Sequence, residues 1–119
     1  MTLANYLWGA LVGASLTATP PISSAQTHAN TGVALLSRLN TVDGPNPGLG
    51  TGLGVGYVSG VSDTLRVAEL VCYPQGVTVN QTVKVVHKYL KDNPAQLHQD
   101  TVLLVSAALV EAFPCKDKP

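Results

Sequence analysis

The two cysteines of the chain, Cys72 and Cys115, bracket a compact stretch that carries two helical patterns. A bond between them would join the start of the first of these helices to the end of the second. An even pair of cysteines in a small exported domain is typical of a disulfide. In the chain-entropy model, a bridge of this span stabilises the folded state by about 4 kcal/mol. The sequence therefore predicts a helical pair closed by one disulfide.

The amino terminus indicates export. Residues 3–18 form an apolar run that is shorter than the ~20 residues a membrane-spanning helix needs. Two prolines follow, and then a triplet of small residues that ends at Ala25, as at a signal-peptidase site. We predict a signal peptide over residues 1–25, with cleavage before Gln26. The alternative is an uncleaved anchor, since no Lys or Arg precedes the run.

Residues 26–119 are long enough for one small domain and too short for two. They contain all seven basic and all seven acidic residues of the chain, so the domain is formally neutral. A neutral domain without a basic cluster beyond one helix face gives no reason to expect nucleic acid as a partner. After cleavage of the signal peptide, stable insertion in a membrane is not expected either.

The first half of the domain predicts two helices. Thr31 is placed to cap a short helix that runs to Leu39, and a loop rich in proline and glycine follows at 43–48. In the second helix, glycines recur every fourth residue on one flank, which favours the close approach of a neighbouring helix. These glycines are Gly52, Gly56 and Gly60. The predicted apolar stripe of the same helix consists of Leu53, Tyr57, Val61, Leu65 and Ala68.

The third helix has the clearest start signal. Thr78 and Gln81 form a capping box, in which the hydroxyl and the side-chain amide each satisfy a free backbone N–H group. Apolar residues and lysines then fall on opposite faces of the helix. The apolar residues are Val79, Val83, Val86 and Leu90, and the lysines are Lys84, Lys88 and Lys91.

The fourth helix is predicted to begin at Asn93, with Pro94 in its first turn, and to end before Pro114. Leu103 and Val110 lie on a second apolar side, and a helix that is apolar on most of its circumference is normally covered on most of it. A second subunit is the predicted cover. The fold class is therefore all-α, a small bundle of about four helices with one disulfide. The residues predicted to pack inward are Leu97, Leu104, Val105, Ala108 and Ala112.

The sequence offers no convincing catalytic or metal centre. A cysteine nucleophile needs a base, for which His28, His87 and His98 are available, but export would oxidise both thiols. The metal-binding spacings H-x-x-x-H and C-x-x-C are missing. The glycine alternation at 48–56 lacks the G-x-G-x-x-G register of a phosphate-binding loop. We therefore expect no enzymatic activity, no cofactor and no metal.

The lysine stripe formed by Lys84, Lys88 and Lys91 has two interpretations. It could meet an acidic surface on a partner protein, or it could be a solvated helix face, which is the more common case.

Two stretches of the chain carry a family resemblance. Residues 56–63 read GYVSGVSD, and a second set of matches begins at Cys72 with CYPQGVT and ends at Cys115 with AFPC. Between them lie VHKYL at 86–90, the Asn-Pro pair at 93–94 and Leu-His at 97–98. These residues resemble the Rap/Tai family of type VI secretion amidase-immunity proteins, whose G-Y-x-x-G-x-x-D helix matches the first stretch. The resemblance covers about residues 31–115.

The resemblance implies a periplasmic, all-α protein, often dimeric, that binds a peptidoglycan amidase and blocks its active site. It also implies that Cys72 pairs with Cys115. The chain departs from the family at a second cysteine pair that many members carry, because the matching positions are Leu39 and Gly54.

Three hypotheses for function follow. The first is a periplasmic immunity protein that inhibits an amidase by occlusion, with interface candidates in the loops near 44–52 and 73–77, among them Tyr73 and Gln75, and on the lysine stripe. The alternative is a small periplasmic stress or chaperone-like protein that exposes apolar surface on demand. An enzyme is the third, and it finds no support in the motifs.

Overall fold

Four α-helices and one short 3-10 turn make up the part of the chain that the structure describes. The computed structural model describes Gly13, Ala18, Thr19 and residues 30–116, so the predicted cleavage point between Ala25 and Gln26 lies outside the described residues. Over these residues there is no strand, only an isolated antiparallel bridge. The predicted all-α bundle of about four helices is confirmed. The elements are α1 (Gly32–Leu39), α2 (Leu49–Val67), α3 (Val79–Asp92), the 3-10 turn Pro94–Gln96 and α4 (Thr101–Ala112).

One hydrophobic core lies between the four helices. All four contribute buried aliphatic side chains, and Val71 adds one from the segment that precedes α3. Full burial of one such side chain stabilises the fold by about 1.5–3 kcal/mol. The core side chains are Leu35, Leu39, Val58, Leu65, Val71, Val83, Val86, Leu90, Leu104, Val105, Ala108 and Leu109.

The start of α1 is held close to the segment before α4. Gly32 N–H donates to the carbonyl of Gln99 at 3.2 Å, and Thr101 N–H donates to the carbonyl of Asn30 at 2.7 Å. A Cβ added at Gly32 would clash with Cδ1 of Leu104 and would lie 3.1 Å from the Leu97 carbonyl oxygen. A larger residue here would require Leu104 and the backbone near Leu97 to shift.

This attachment explains why the fourth helix starts later than predicted. Asn93 and Pro94 open only the short 3-10 turn, and α4 begins at Thr101 with Asp100 as its N-cap. Because Gln99 and Thr101 bond to the backbone around Gly32, the intervening chain cannot continue as one α-helix.

The buried face of α2 differs from the predicted stripe. Leu53 is 53% exposed and Ala68 is also exposed, whereas Tyr57 and Val61 are half-buried. The helix is apolar on both sides, so hydrophobic periodicity alone could not choose between them. The face that packs inward consists of Thr51, Gly54, Val58, Ser62 and Leu65.

Gly54 is the glycine of α2 that permits a close helix contact. The prediction that Gly52, Gly56 and Gly60 form the contact flank is therefore wrong. A Cβ added at Gly54 would lie 3.0 Å from Cβ of Arg38, at the end of α1. The same addition at Gly52, Gly56 or Gly60 would meet no atom within 4 Å among the described residues.

The ends of α2 and α3 are defined by capping groups. The capping box is confirmed: Gln81 N–H donates to Thr78 Oγ1 at 3.2 Å, and Thr78 N–H donates to Gln81 Oε1 at 2.8 Å. At the end of α2, Glu69 has a φ of +58°, and Leu70 N–H donates to the Leu65 carbonyl at 2.9 Å. This is a Schellman motif with glutamate where glycine is usual.

Within the described part of the chain, no helix combines the length and the apolar character needed to cross a membrane.

Candidate partner-binding site

The disulfide lies at one end of the bundle and is confirmed. Cys72 and Cys115 are bonded, with a Cα–Cα distance of 4.9 Å and a sequence separation of 43. The bond joins the segment before α3 to the segment after α4. Because both sulfurs are used in this bond, neither is available as a thiol nucleophile.

Tyr73 is held beside the disulfide by two contacts of its own side chain and by a backbone hydrogen bond of the preceding Cys72. Cys72 N–H donates to the Phe113 carbonyl at 3.0 Å, and the rings of Tyr73 and Phe113 meet edge to face with centroids 4.8 Å apart. The Tyr73 hydroxyl lies 2.7 Å from Oγ of Ser62, on α2. Tyr73 is therefore half-buried and links the disulfide segment to α2, although the sequence had indicated it as a surface residue.

Gln75 is exposed at the tip of a tight turn. Val77 N–H donates to the Pro74 carbonyl at 3.3 Å, and Gly76 has a φ of +90°. A positive φ at the third position identifies a type II turn, in which glycine is preferred. The turn projects the Gln75 side chain toward solvent, as a contact residue requires.

A polar crevice separates this turn from the second half of α2. Its volume is about 220 Å³. Sequence reasoning missed the crevice, because Ser59, Ser62 and Thr82 look like ordinary helix residues and only the fold sets them opposite the turn. The lining residues include Ser59, Ser62, Arg66, Tyr73, Val77 and Thr82.

The three predicted lysines all lie on the exposed face of α3, but two of them have acidic partners. Lys84 Nζ lies 3.5 Å from Oδ1 of Asp43, and Lys88 contacts Asp92 one turn further along the helix. Over residues 30–116, Lys91 forms no ion pair. Exposed ion pairs of this kind contribute roughly 0–1 kcal/mol and are screened by salt. The stripe therefore offers less positive charge than the sequence suggests.

The loop between α1 and α2 packs against the same face of α3. Asp43 reaches Lys84, and Nε2 of His87 lies 2.9 Å from Oδ1 of Asn40. Burial lowers the pKa of His87, and the positive charge of Lys91 lowers it further, against a smaller opposite effect of Asp43. The loop and the lysine stripe thus form one surface.

The structure does not bring the Tyr73–Val77 turn to that surface. The loop precedes α2 and the turn follows it, and a helix of 19 residues is about 28 Å long. The predicted interface residues therefore form two separate candidate surfaces at opposite ends of α2.

A third surface is apolar. Leu103 is 58% exposed and Val110 is 41% exposed on α4, so the described residues leave this side of the helix uncovered. Beside them, a groove of about 230 Å³ runs between α2 and α4, and no charged side chain lines it. Its lining residues are Gly60, Val61, Thr64, Leu65, Val102 and Ser106.

The described residues contain no group of three or more His, Cys, Asp or Glu side chains that could hold a metal ion.

Comparison with known proteins identifies the family. The family model described as Rap1a immunity proteins matches residues 31–115, which is nearly the whole described domain. A search of curated proteins and a search of solved structures found no significant match. Membership implies immunity to a secreted effector through binding of that effector, and such proteins are inhibitors rather than enzymes. The chain belongs to the Rap1a family of immunity proteins.

Proposed function

We propose that this chain is a periplasmic immunity protein that binds a peptidoglycan amidase delivered by a type VI secretion system and occludes its active site. The observation that carries the proposal is the family match over residues 31–115. The amidase and the secretion system come from the resemblance of residues 56–63 and 72–115 to the Rap/Tai proteins. Inhibition by occlusion needs a rigid contact surface and no chemistry of its own.

The disulfide supports an extracytoplasmic location. Bonds such as Cys72–Cys115 form and persist in oxidising compartments and are rare in the cytosol. A signal peptide over residues 1–25, removed before Gln26, would deliver the domain to the periplasm. Intact-mass analysis of the periplasmic fraction should show residues 26–119 with two hydrogens fewer than the reduced chain. A full-length product with free thiols would contradict this location.

Amidase inhibition is directly testable. Purified residues 26–119 are mixed with the peptidoglycan amidase encoded beside the gene of this chain, and release of fragments from isolated cell walls is measured. Cleavage should fall in proportion to the added protein and stop near one binding equivalent. Unchanged cleavage at molar excess would overturn the proposal.

A homodimer through the apolar side of α4 is part of the proposed function. Exposed Leu103 and Val110 flank the uncharged groove between α2 and α4, and stable protein interfaces have apolar centres of this kind. Light scattering on size-exclusion fractions should give twice the chain mass, and Leu103→Glu should give the monomer. Lys91→Glu, on the charged face, is the control that should stay dimeric. A wild-type monomer at high concentration would contradict the dimer.

A further inference from the structure

The crevice between α2 and the turn at 74–77 has a polar floor with one hydrogen-bond donor to spare. The hydroxyls of Ser62 and Tyr73 lie 2.7 Å apart, and neither forms another hydrogen bond among the described residues. Each hydroxyl carries one proton, and only one proton can lie between the two oxygens. The second proton therefore remains available for a ligand. Ser62 is only 7% exposed, so this donor is at the bottom of the crevice.

The other hydroxyls of the crevice are already used as donors. Ser59 donates to the Val55 carbonyl at 2.9 Å, and Thr82 donates to the Val79 carbonyl at 2.8 Å. The hydroxyl of Thr78, which also lines the crevice, donates to Gln81 Oε1 at 3.3 Å. The crevice therefore has one specific donor at its floor.

A second donor group stands at the mouth. The Arg66 guanidinium is 3.8 Å from Oδ1 of Asp63, and both side chains are mostly exposed. A guanidinium has five N–H groups, so this single loose pair leaves most of them free. Asp63 offsets part of the positive charge, so the mouth attracts hydrogen-bond acceptors more than it attracts anions in particular.

We infer that this crevice receives one glutamine side chain of the effector, which ends in a hydrogen-bond acceptor. Its terminal oxygen would accept the spare proton of the Ser62–Tyr73 pair, and its apolar stem would cover Val77 and Val79. Val79 is 54% exposed, and its burial would add apolar contact at the rim. A volume of about 220 Å³ has room for one such side chain but not for a helix. The inference rests on the proposed function, since it names where the effector is held.

Removal of the floor donor tests the inference. The double variant Ser62→Ala/Tyr73→Phe removes both hydroxyls, because either one alone would still carry a proton for the ligand. It keeps the ring that contacts Phe113, so the fold should persist. Affinity for the amidase, measured by titration calorimetry, should fall at least about tenfold, as expected when a buried acceptor loses its partner. Tyr57→Phe deletes a phenol elsewhere on the surface of α2 and is the matched control, with a change below about twofold. An affinity of Ser62→Ala/Tyr73→Phe within twofold of wild type would overturn the inference.

A second measurement does not depend on the amidase. N-acetylglutamine N-methylamide is titrated into the isotope-labelled protein, and backbone amide shifts are recorded. Shifts should move at residues 62, 66 and 73 in wild type and stay fixed in Ser62→Ala/Tyr73→Phe. If the amides of these residues do not shift at millimolar concentrations of the probe, the proposed ligand site in the crevice is contradicted. Failure of wild type to bind the amidase, by contrast, would reject the proposed function and leave the crevice to be judged on this titration.

Discussion

Leu39 and Gly54 are in direct contact, because a Cβ added at Gly54 would lie 3.2 Å from Cδ2 of Leu39. These are the two positions at which the resemblance to the Rap/Tai proteins places a second cysteine pair. Leu39 is fully buried. In this chain the junction of α1 and α2 is thus held by a leucine packed over a glycine, where other members carry a covalent link.

Gly54→Ala should destabilise the protein by about 1–3 kcal/mol, since the added methyl would overlap Cβ of Arg38, 3.0 Å away. Gly56→Ala is the matched control in the same helix. It meets open space and should raise stability by up to about 1 kcal/mol, because alanine favours the helix over glycine. Urea denaturation followed by circular dichroism measures both. Equal effects of the two substitutions would contradict the tight contact.

Glu69→Gly should raise the free energy of unfolding by about 1 kcal/mol, because Glu69 occupies the left-handed region in which a side chain is disfavoured. Ala68→Gly, one residue earlier with a φ of −75°, should give no such gain. Thermal denaturation compares the two variants. A lower melting temperature for Glu69→Gly would show that contacts of the glutamate side chain outweigh the backbone strain.

The double variant Cys72→Ser/Cys115→Ser should lose about 2–5 kcal/mol of stability, as for other native disulfides of small exported domains. The near-ultraviolet circular dichroism of Tyr73 should also weaken, because the segment that holds the ring against Phe113 is released. Helix content should change much less. An unchanged tyrosine signal would show that the hydrogen bond to Ser62 alone positions the ring.

His87 should make stability depend on pH. Its pKa is lowered in the folded state from the ordinary 6.5, so the unfolded chain binds the proton more tightly. The stability that His87 contributes is present above pH 6.5 and is lost as the pH falls from there through the lower folded pKa. His87→Gln should remove this part of the pH dependence between about pH 6.5 and 5, above the carboxylate range. If stability varies with pH in the same way in the wild type and in His87→Gln, the prediction is contradicted.

The helices and the disulfide could be predicted because their signals are local. Thr78 and Gln81 mark the start of α3, and the apolar spacing of Val83, Val86 and Leu90 marks its inner face. The disulfide could be predicted from the even number of cysteines and from the predicted export of the domain.

Three features could not be predicted, because they depend on contacts between distant segments. The sequence predicts a start of α4 that is too early, since no sequence pattern indicates the hydrogen bonds of Gln99 and Thr101 to the backbone near Gly32. The predicted inward face of α2 is wrong because Leu53 and Val58 are both apolar, and hydrophobic spacing cannot tell which of the two is buried. The crevice escaped notice for the same reason, since it exists only where Ser62 meets Tyr73.

The hydrogen bond between Asn30 and Thr101 also determines where a fusion tag can be attached to the domain. A polypeptide joined ahead of residue 30 departs beside the first turn of α4. The whole of α4 is about 18 Å long, and the disulfide and the Gln75 turn lie near its other end. A purification tag or a tether to a sensor chip placed there leaves the Gln75 turn unobstructed. The same tag after Lys116 would emerge next to Cys115 and crowd the surface that the effector is expected to reach.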